Sequence, residues 1–184
     1  EVLEKEFRTV EWDAKSAEKG GFEHFMLKEI YEQPKAVADT IHPRIKDGKI
    51  VIEELGLSDE DIRKISRIQM VACGSAYHVC AAAKYVLEKL SGIPVDIDLA
   101  SEFRYRNPIL SEHRNPVLDP HTLVIVVSQS GETADSLAAL REAKKRGFPV
   151  LGIVNVVGSS IAREADSVFY TWAGPEISVA TTKA

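Results

Sequence analysis

A run of β-branched residues, Val124-Ile125-Val126-Val127, stops at Ser128-Gln129-Ser130-Gly131-Glu132-Thr133, and a helical pattern through Leu137, Leu140 and Ala143 starts at once. The run reads as a buried strand, and the hydroxyl-rich turn delivers the chain into a helix. Such a junction has a chemical consequence. The N–H groups of a first helical turn lack intrahelical acceptors, and the helix dipole favours negative charge beside them. Ser128, Ser130 and Thr133 add hydroxyl donors, and Gly131 lets the backbone approach a ligand closely. The loop contains no lysine or arginine, so an anion there is met by amides and hydroxyls. That suits the single phosphate of a small molecule better than a triphosphate, which needs Lys and Mg²⁺.

A plainer reading is that Ser130 or Thr133 caps a helix and binds nothing, since Ser and Thr are preferred caps. The density of hydroxyls favours a ligand, and so does a second junction of the same design. Arg67 to Cys73 reads as a buried strand, ends at Gly74-Ser75-Ala76, and gives way to an Ala-rich helix from about Tyr77 to Leu90. Its small residues Ala81, Ala82 and Ala83 predict close packing of helix on sheet.

With 184 residues, 45% of them hydrophobic, the chain can bury a full core as one domain with an appendage. A net charge of -5 argues against a nucleic-acid surface. No apolar run reaches the length of a membrane span, and the residues from Glu1 to Glu6 lack signal-peptide character, so the expected location is cytoplasmic. Cys73 and Cys80 read as reduced thiols. The histidines at 24, 42, 78, 113 and 121 have no metal-ligand spacing, so neither a metal nor a cofactor is expected.

In chain order, Phe7 to Trp12 reads as a short strand, and Gly20-Gly21 as a turn in an N-terminal arm. A helix begins at Phe22, and Pro34 is expected to start a second one through Ile41. Gly48 to Leu55 predicts a minor strand with Ile50 and Ile52 on one face. Ser58 should cap a short acidic-start helix. Ile93 to Leu99 predicts a strand near an edge, because of Pro94. A single helical turn at Ser101–Arg106 and a loop from Pro108 to Pro120 follow. After the central strand come a helix ending near Arg146-Gly147, a strand at Val150–Val154, a short helix capped by Ser159 and a last strand at Val168–Thr171. The closing residues, Thr181 to Ala184, read as the start of another helix. Strands alternating with helices at this spacing mean βαβ units, a parallel sheet and a three-layer α/β/α sandwich. Both serine junctions fall at strand carboxyl ends, where ligands bind such sheets, and so could converge on one pocket. No G-x-G-x-x-G or G-x-x-x-x-G-K-[ST] motif is present, which removes the grounds for a dinucleotide or nucleotide enzyme.

Four stretches, Ala72-Cys73-Gly74-Ser75, Ala100 to Arg106, Ser128 to Asp135 and Glu176 to Ala184, together with the arm from Glu18 to Ile30, resemble one enzyme family. The serine loop marks sugar isomerase (SIS) domains generally. The arm and the last stretch are similar to the isomerase half of the glutamine:fructose-6-phosphate aminotransferases, from about Val10 onward. The resemblance implies a flavodoxin-like SIS fold with a five-stranded parallel sheet over 46–184, and an arm over 1–45 that links to an absent glutaminase domain. It implies that Ser75, Ser128, Gln129, Ser130 and Thr133 hold the phosphate of fructose 6-phosphate or glucosamine 6-phosphate, with Val179 and Thr181 near the sugar. It also implies a homodimer and a place in amino-sugar biosynthesis.

One departure stands out. The family carries a second hydroxyl residue after the position of Ser75, where this chain has Ala76, so one phosphate hydrogen bond is expected to be missing or replaced by an amide. The family's acid/base groups lie in a second SIS domain and in a neighbouring subunit. Here Glu132 and His78 are the nearby candidates, and a plainer role for Glu132 is an acid at a helix start. The expectation is a domain that binds sugar phosphate without turnover. A stand-alone SIS sensor would need an effector segment, and a small phosphosugar isomerase would need a catalytic Glu and His near the site, with only the unplaced His78 and His113 available.

Overall fold

The computed structural model describes residues 17–106 and 121–184. The strand expected at Phe7–Trp12, the loop from Pro108 to Pro120 and His113 lie outside the described residues. In chain order the elements are α1 (Phe25–Ile41), β1 (Ile45–Lys46), β2 (Lys49–Ile50), α2 (Asp59–Lys64), β3 (Arg67–Ala72), α3 (Gly74–Ser91), β4 (Val95–Leu99), α4 (Ala100–Phe103), β5 (Thr122–Ser128), α5 (Ala134–Lys145), β6 (Val150–Val154), α6 (Ser160–Glu164) and β7 (Ser167–Tyr170). Strands β3 to β7 form one parallel five-stranded sheet in the order β4-β3-β5-β6-β7. The β-branched run is therefore its central strand.

Alternation along β5 builds two cores. Val124 and Val126 face one way and pack with Ala139, Leu140 and Ala143 of α5, Phe103 of α4 and Ile161 of α6. Leu123 and Ile125 face the other way, with Met70, Ala72, Ala76 and Cys80. A strand apolar at every position needs both faces covered, and α3 on one side with α4, α5 and α6 on the other supply this. The sandwich thus follows from the pattern. Strand β4 is an edge, as Pro94 predicts. Ser58 caps α2 in a reciprocal box with Asp61, whose amide lies 3.1 Å from the serine Oγ.

Four local expectations are corrected. Pro34 does not start a new helix but lies inside an unbroken α1. Proline removes the bond to the carbonyl four residues back, and tertiary contacts hold both halves of the helix on one axis. Glu29 before the proline accepts from the Ile177 amide and Thr40 after it donates to the Thr171 carbonyl, both partners lying beyond β7. The minor strand at Gly48–Leu55 is instead a two-residue hairpin, with Ile50 79% exposed, followed by a 3-10 turn at Glu53–Leu55. Its alternating isoleucines lack a sheet to lie on. On α3 the face turned to the sheet is Ala76 and Cys80 with Ala83 and Leu87, while Ala82 is exposed. The helical period selects one alanine of the trio rather than all three. The final residues form bends and a turn rather than a helix.

The arm is bonded to the body. Arg44 is buried, stacks on the Phe169 ring with its guanidinium carbon 3.8 Å from the centroid, and donates to the Tyr170 carbonyl at 2.7 Å and to Glu54. Both cysteines are free, and burial pushes the Cys80 thiol up to about 11.

Candidate functional site

Strand order locates the candidate site. The chain goes from β3 to β4 on one side, then crosses back to place β5 on the other side of β3. The reversal lies between β3 and β5, and the crevice at the carboxyl ends of two such strands is where open α/β sheets bind ligands. Register puts Ala72 opposite Val127, so the two serine junctions leave adjacent strands at the same level. The sequence places Gly74-Ser75 after one strand and Ser128–Thr133 after the other. The fold brings both to the switch point.

The loop after β5 is knitted by its own hydroxyls. Ser128 is buried at the strand's end, and its Oγ accepts from the Gly131 amide at 3.1 Å and shares a hydrogen bond with the Thr133 hydroxyl at 3.1 Å. Ser130 Oγ accepts from the Glu132 amide at 3.2 Å. Thr133 stands at the cap position of α5, but its side chain makes no capping bond. Its hydroxyl is turned to Ser128 instead. Capping therefore does not account for these hydroxyls. The first intrahelical bond is from the Leu137 amide to the Thr133 carbonyl at 2.9 Å, so the amides of the preceding turn point beyond the helix. Gly131 has φ +66, a left-handed conformation that glycine adopts without strain.

Ser75 is exposed in the first turn of α3, which likewise has no side-chain cap. Ala76 is buried in the core on the α3 side, so its methyl belongs to the helix–sheet packing. Gln129 is half-buried, and its carbonyl accepts from the Asn155 amide at 3.0 Å. Val179 is 60% exposed, and Thr181 has φ +67. Both follow β7 in the chain. Their segment is bonded to Glu176 and α1 rather than directly to the serine loop.

Two further residues are bonded to the serine loop and to α5, and the first of them, Asn155, carries no sequence signal of its own. Asn155 is buried at the end of β6. Its side chain donates to the Gly174 carbonyl at 2.7 Å and accepts from the Thr171 hydroxyl at 3.0 Å and the Ala173 amide at 2.9 Å. Through its amide and side chain, Asn155 joins the serine loop to the start of the last segment. Arg104 holds Asp135 at 2.8 Å and so offsets the one carboxylate in the first turn of α5.

Glu132 points away from that turn. Its carboxylate accepts from the Ser160 amide at 2.7 Å, and hydrogen bonding to the Ser160 side chain and amide, with the charge of Arg163, holds its pKa below the usual glutamate value. It serves the start of α6 instead of the start of its own helix. His78 is exposed on α3, edge-on to Tyr77. Glu132 and His78 thus each have a local contact of their own. Among the described residues no group of three or more His, Cys, Asp or Glu could hold a metal ion, and no helix is long and apolar enough to cross a membrane.

The model of the SIS domain matches residues 61–184 of this chain. The chain belongs to the SIS domain family. Among curated proteins this SIS domain is similar to the glutamine--fructose-6-phosphate aminotransferase [isomerizing] of Clostridium acetobutylicum, 58% identical over all of the chain and 29% of the relative. That of Clostridium tetani is 57% identical over 99% of the chain and 29% of the relative. The chain thus spans less than a third of the length of these relatives. Among solved structures, the C-terminal domain of glucosamine-fructose-6-phosphate aminotransferase from Francisella tularensis matches with a TM-score of 0.79 and 42% identity, over 90% of this chain and 44% of that one.

Proposed function

We propose that this SIS domain is the first of two in the isomerase part of a glutamine:fructose-6-phosphate aminotransferase. In this reading it holds the phosphate of fructose 6-phosphate or glucosamine 6-phosphate and does not turn it over by itself. The observation that carries it is the hydroxyl cluster of Ser128, Ser130 and Thr133 over the N-terminus of α5, with the cap hydroxyl turned away from the helix. Amides and hydroxyls there suit a phosphate monoester, since the dipole and the unpaired N–H groups attract charge without a metal or a lysine. Identity to the named aminotransferases along the whole chain supports the choice of sugar phosphate. The proton transfer between adjacent carbons that an aldose–ketose conversion requires needs a positioned acid/base pair. Glu132 is committed to α6, which supports binding without turnover. Self-association belongs to the same proposal, because α1 and α3 present exposed apolar side chains, among them Ile30, Val37, Val86 and Leu90.

Titration calorimetry tests the phosphate claim. Fructose 6-phosphate should bind at least about tenfold more tightly than fructose, and Ser130→Ala should weaken only the phosphorylated ligand, because hydrogen bonds to a charged group are the strong ones. Equal binding of fructose and fructose 6-phosphate would sink the idea.

A further inference from the structure

The segment after β7 that carries Val179 and Thr181 has no regular secondary structure. Its amides need partners all the same, and carboxylates supply them. Glu29 of α1 is 2% exposed, and its Oε1 accepts from the Ile177 amide at 2.6 Å and the Ser178 amide at 3.1 Å. Its other oxygen accepts from the Ser178 hydroxyl. One turn along the helix, Glu32 pairs with Lys183, and Gln33 donates to the Thr182 carbonyl at 2.7 Å. Within the segment, Glu176 accepts from the amides of Thr181, Thr182 and Lys183 at 2.6 to 2.8 Å. Thr181 is a β-branched residue at φ +67, a conformation that persists only where the surroundings over-determine it.

A buried carboxylate without partners is costly. Glu29 therefore requires the docked segment as much as the segment requires Glu29. We propose that Glu29 is a positioning residue for the sugar end of the ligand: it clasps Ile177 and Ser178 to α1, and thereby sets where Val179 and Thr181 stand. This rests on the reading of the domain as a fructose 6-phosphate site. The serine loop holds the phosphate independently of the clasp, so the two ends of the ligand answer to different residues.

The test compares the 184-residue chain with Glu29→Gln and Ser178→Ala, each titrated with fructose 6-phosphate and with inorganic phosphate, and follows amide hydrogen exchange at Ile177 and Ser178. Glu29→Gln should lower affinity for fructose 6-phosphate by about three- to tenfold and leave that for inorganic phosphate within about twofold, since only sugar contacts are displaced. Exchange at Ile177 should speed by about tenfold or more. Ser178→Ala keeps the carboxylate and both amide bonds, so it should show a smaller effect in the same direction. Equal loss of both ligands would overturn the inference, because Glu29 would then act on the whole fold. So would unchanged exchange at Ile177. If the unaltered chain binds neither ligand, the sugar-phosphate reading itself falls, and the positioning role with it, whereas unaltered binding in Glu29→Gln overturns the positioning role alone.

Discussion

A methyl group added to Gly131 would sit 2.6 Å from the Ser159 Cβ and 3.3 Å from a Val154 methyl, in a backbone conformation that side chains resist. Left-handed strain and overpacking together predict that Gly131→Ala lowers stability by about 2–4 kcal/mol in urea melts. A loss under 1 kcal/mol would mean the loop can shift without cost. Ser159, against which Gly131 packs, has a buried hydroxyl with no hydrogen-bond partner among the described residues. Because an unsatisfied buried hydroxyl contributes little and costs its hydration, Ser159→Ala should leave stability unchanged or raise it by up to about 1 kcal/mol, measured the same way. The loop serines and Gly131 are legible in the sequence because their chemistry is local. Ser159 reads only as a helix cap, and its closeness to Gly131 is created by the packing of α6 on β6. Asn155 is illegible for the same reason: the three partners of its side chain lie 16 to 19 residues away.

Among the elements, α1 departs furthest from its sequence signal. Proline propensity argues for two helices, yet contacts to the last segment outweigh one missing hydrogen bond. Pro34→Ala should therefore raise the thermal midpoint, with a gain of roughly 1–3 kcal/mol, since the helix already exists and only regains its bond. The charge on α1 makes a pH prediction. Burial alone would raise the pKa of Glu29, but hydrogen bonds from the Ser178 hydroxyl and the amides of Ile177 and Ser178, with the charge of Lys183, outweigh it and hold the carboxyl below its ordinary value. Glu32 and Lys28 share this face, paired at 3.3 Å. A group whose folded pKa is depressed contributes fully above its unfolded pKa, and the contribution is lost as pH falls through the folded value. The stability gap between the unaltered chain and Glu29→Gln should thus be constant near neutrality and shrink once pH drops below about 4.3. A gap that widens on acidification would reverse the assignment. Strands β3 to β7 were legible throughout, since alternation and β-branching are strong local signals. The hairpin and the unwound last segment were not, because their conformations depend on partners distant in sequence.

At the scale of the whole molecule, the switch point between β3 and β5 brings two loops about fifty residues apart to one end of the sheet, as the proposed shared phosphate site requires. The proposal separates binding from chemistry. With ammonium and fructose 6-phosphate supplied, the chain should form no glucosamine 6-phosphate, because ground-state binding without transition-state contacts does not raise a rate. Product formation within about tenfold of an intact aminotransferase would mean acid/base groups reside here, since each such group typically contributes 10²–10⁴-fold. The exposed apolar side chains of α1 and α3 predict a concentration-dependent dimer in sedimentation. A monomer at every concentration would contradict that. The central claim, that a phosphate sits on the amides and hydroxyls of the junction between β5 and α5, is tested most directly by amide chemical shifts during titration with fructose 6-phosphate. The account predicts that the largest saturable shifts fall on Ser130, Gly131, Glu132 and the first turn of α5, with Ser75 following, and that fructose alone does not reproduce them. Shifts confined to the opposite end of the sheet, around Lys64, His121 and Pro149, would contradict it.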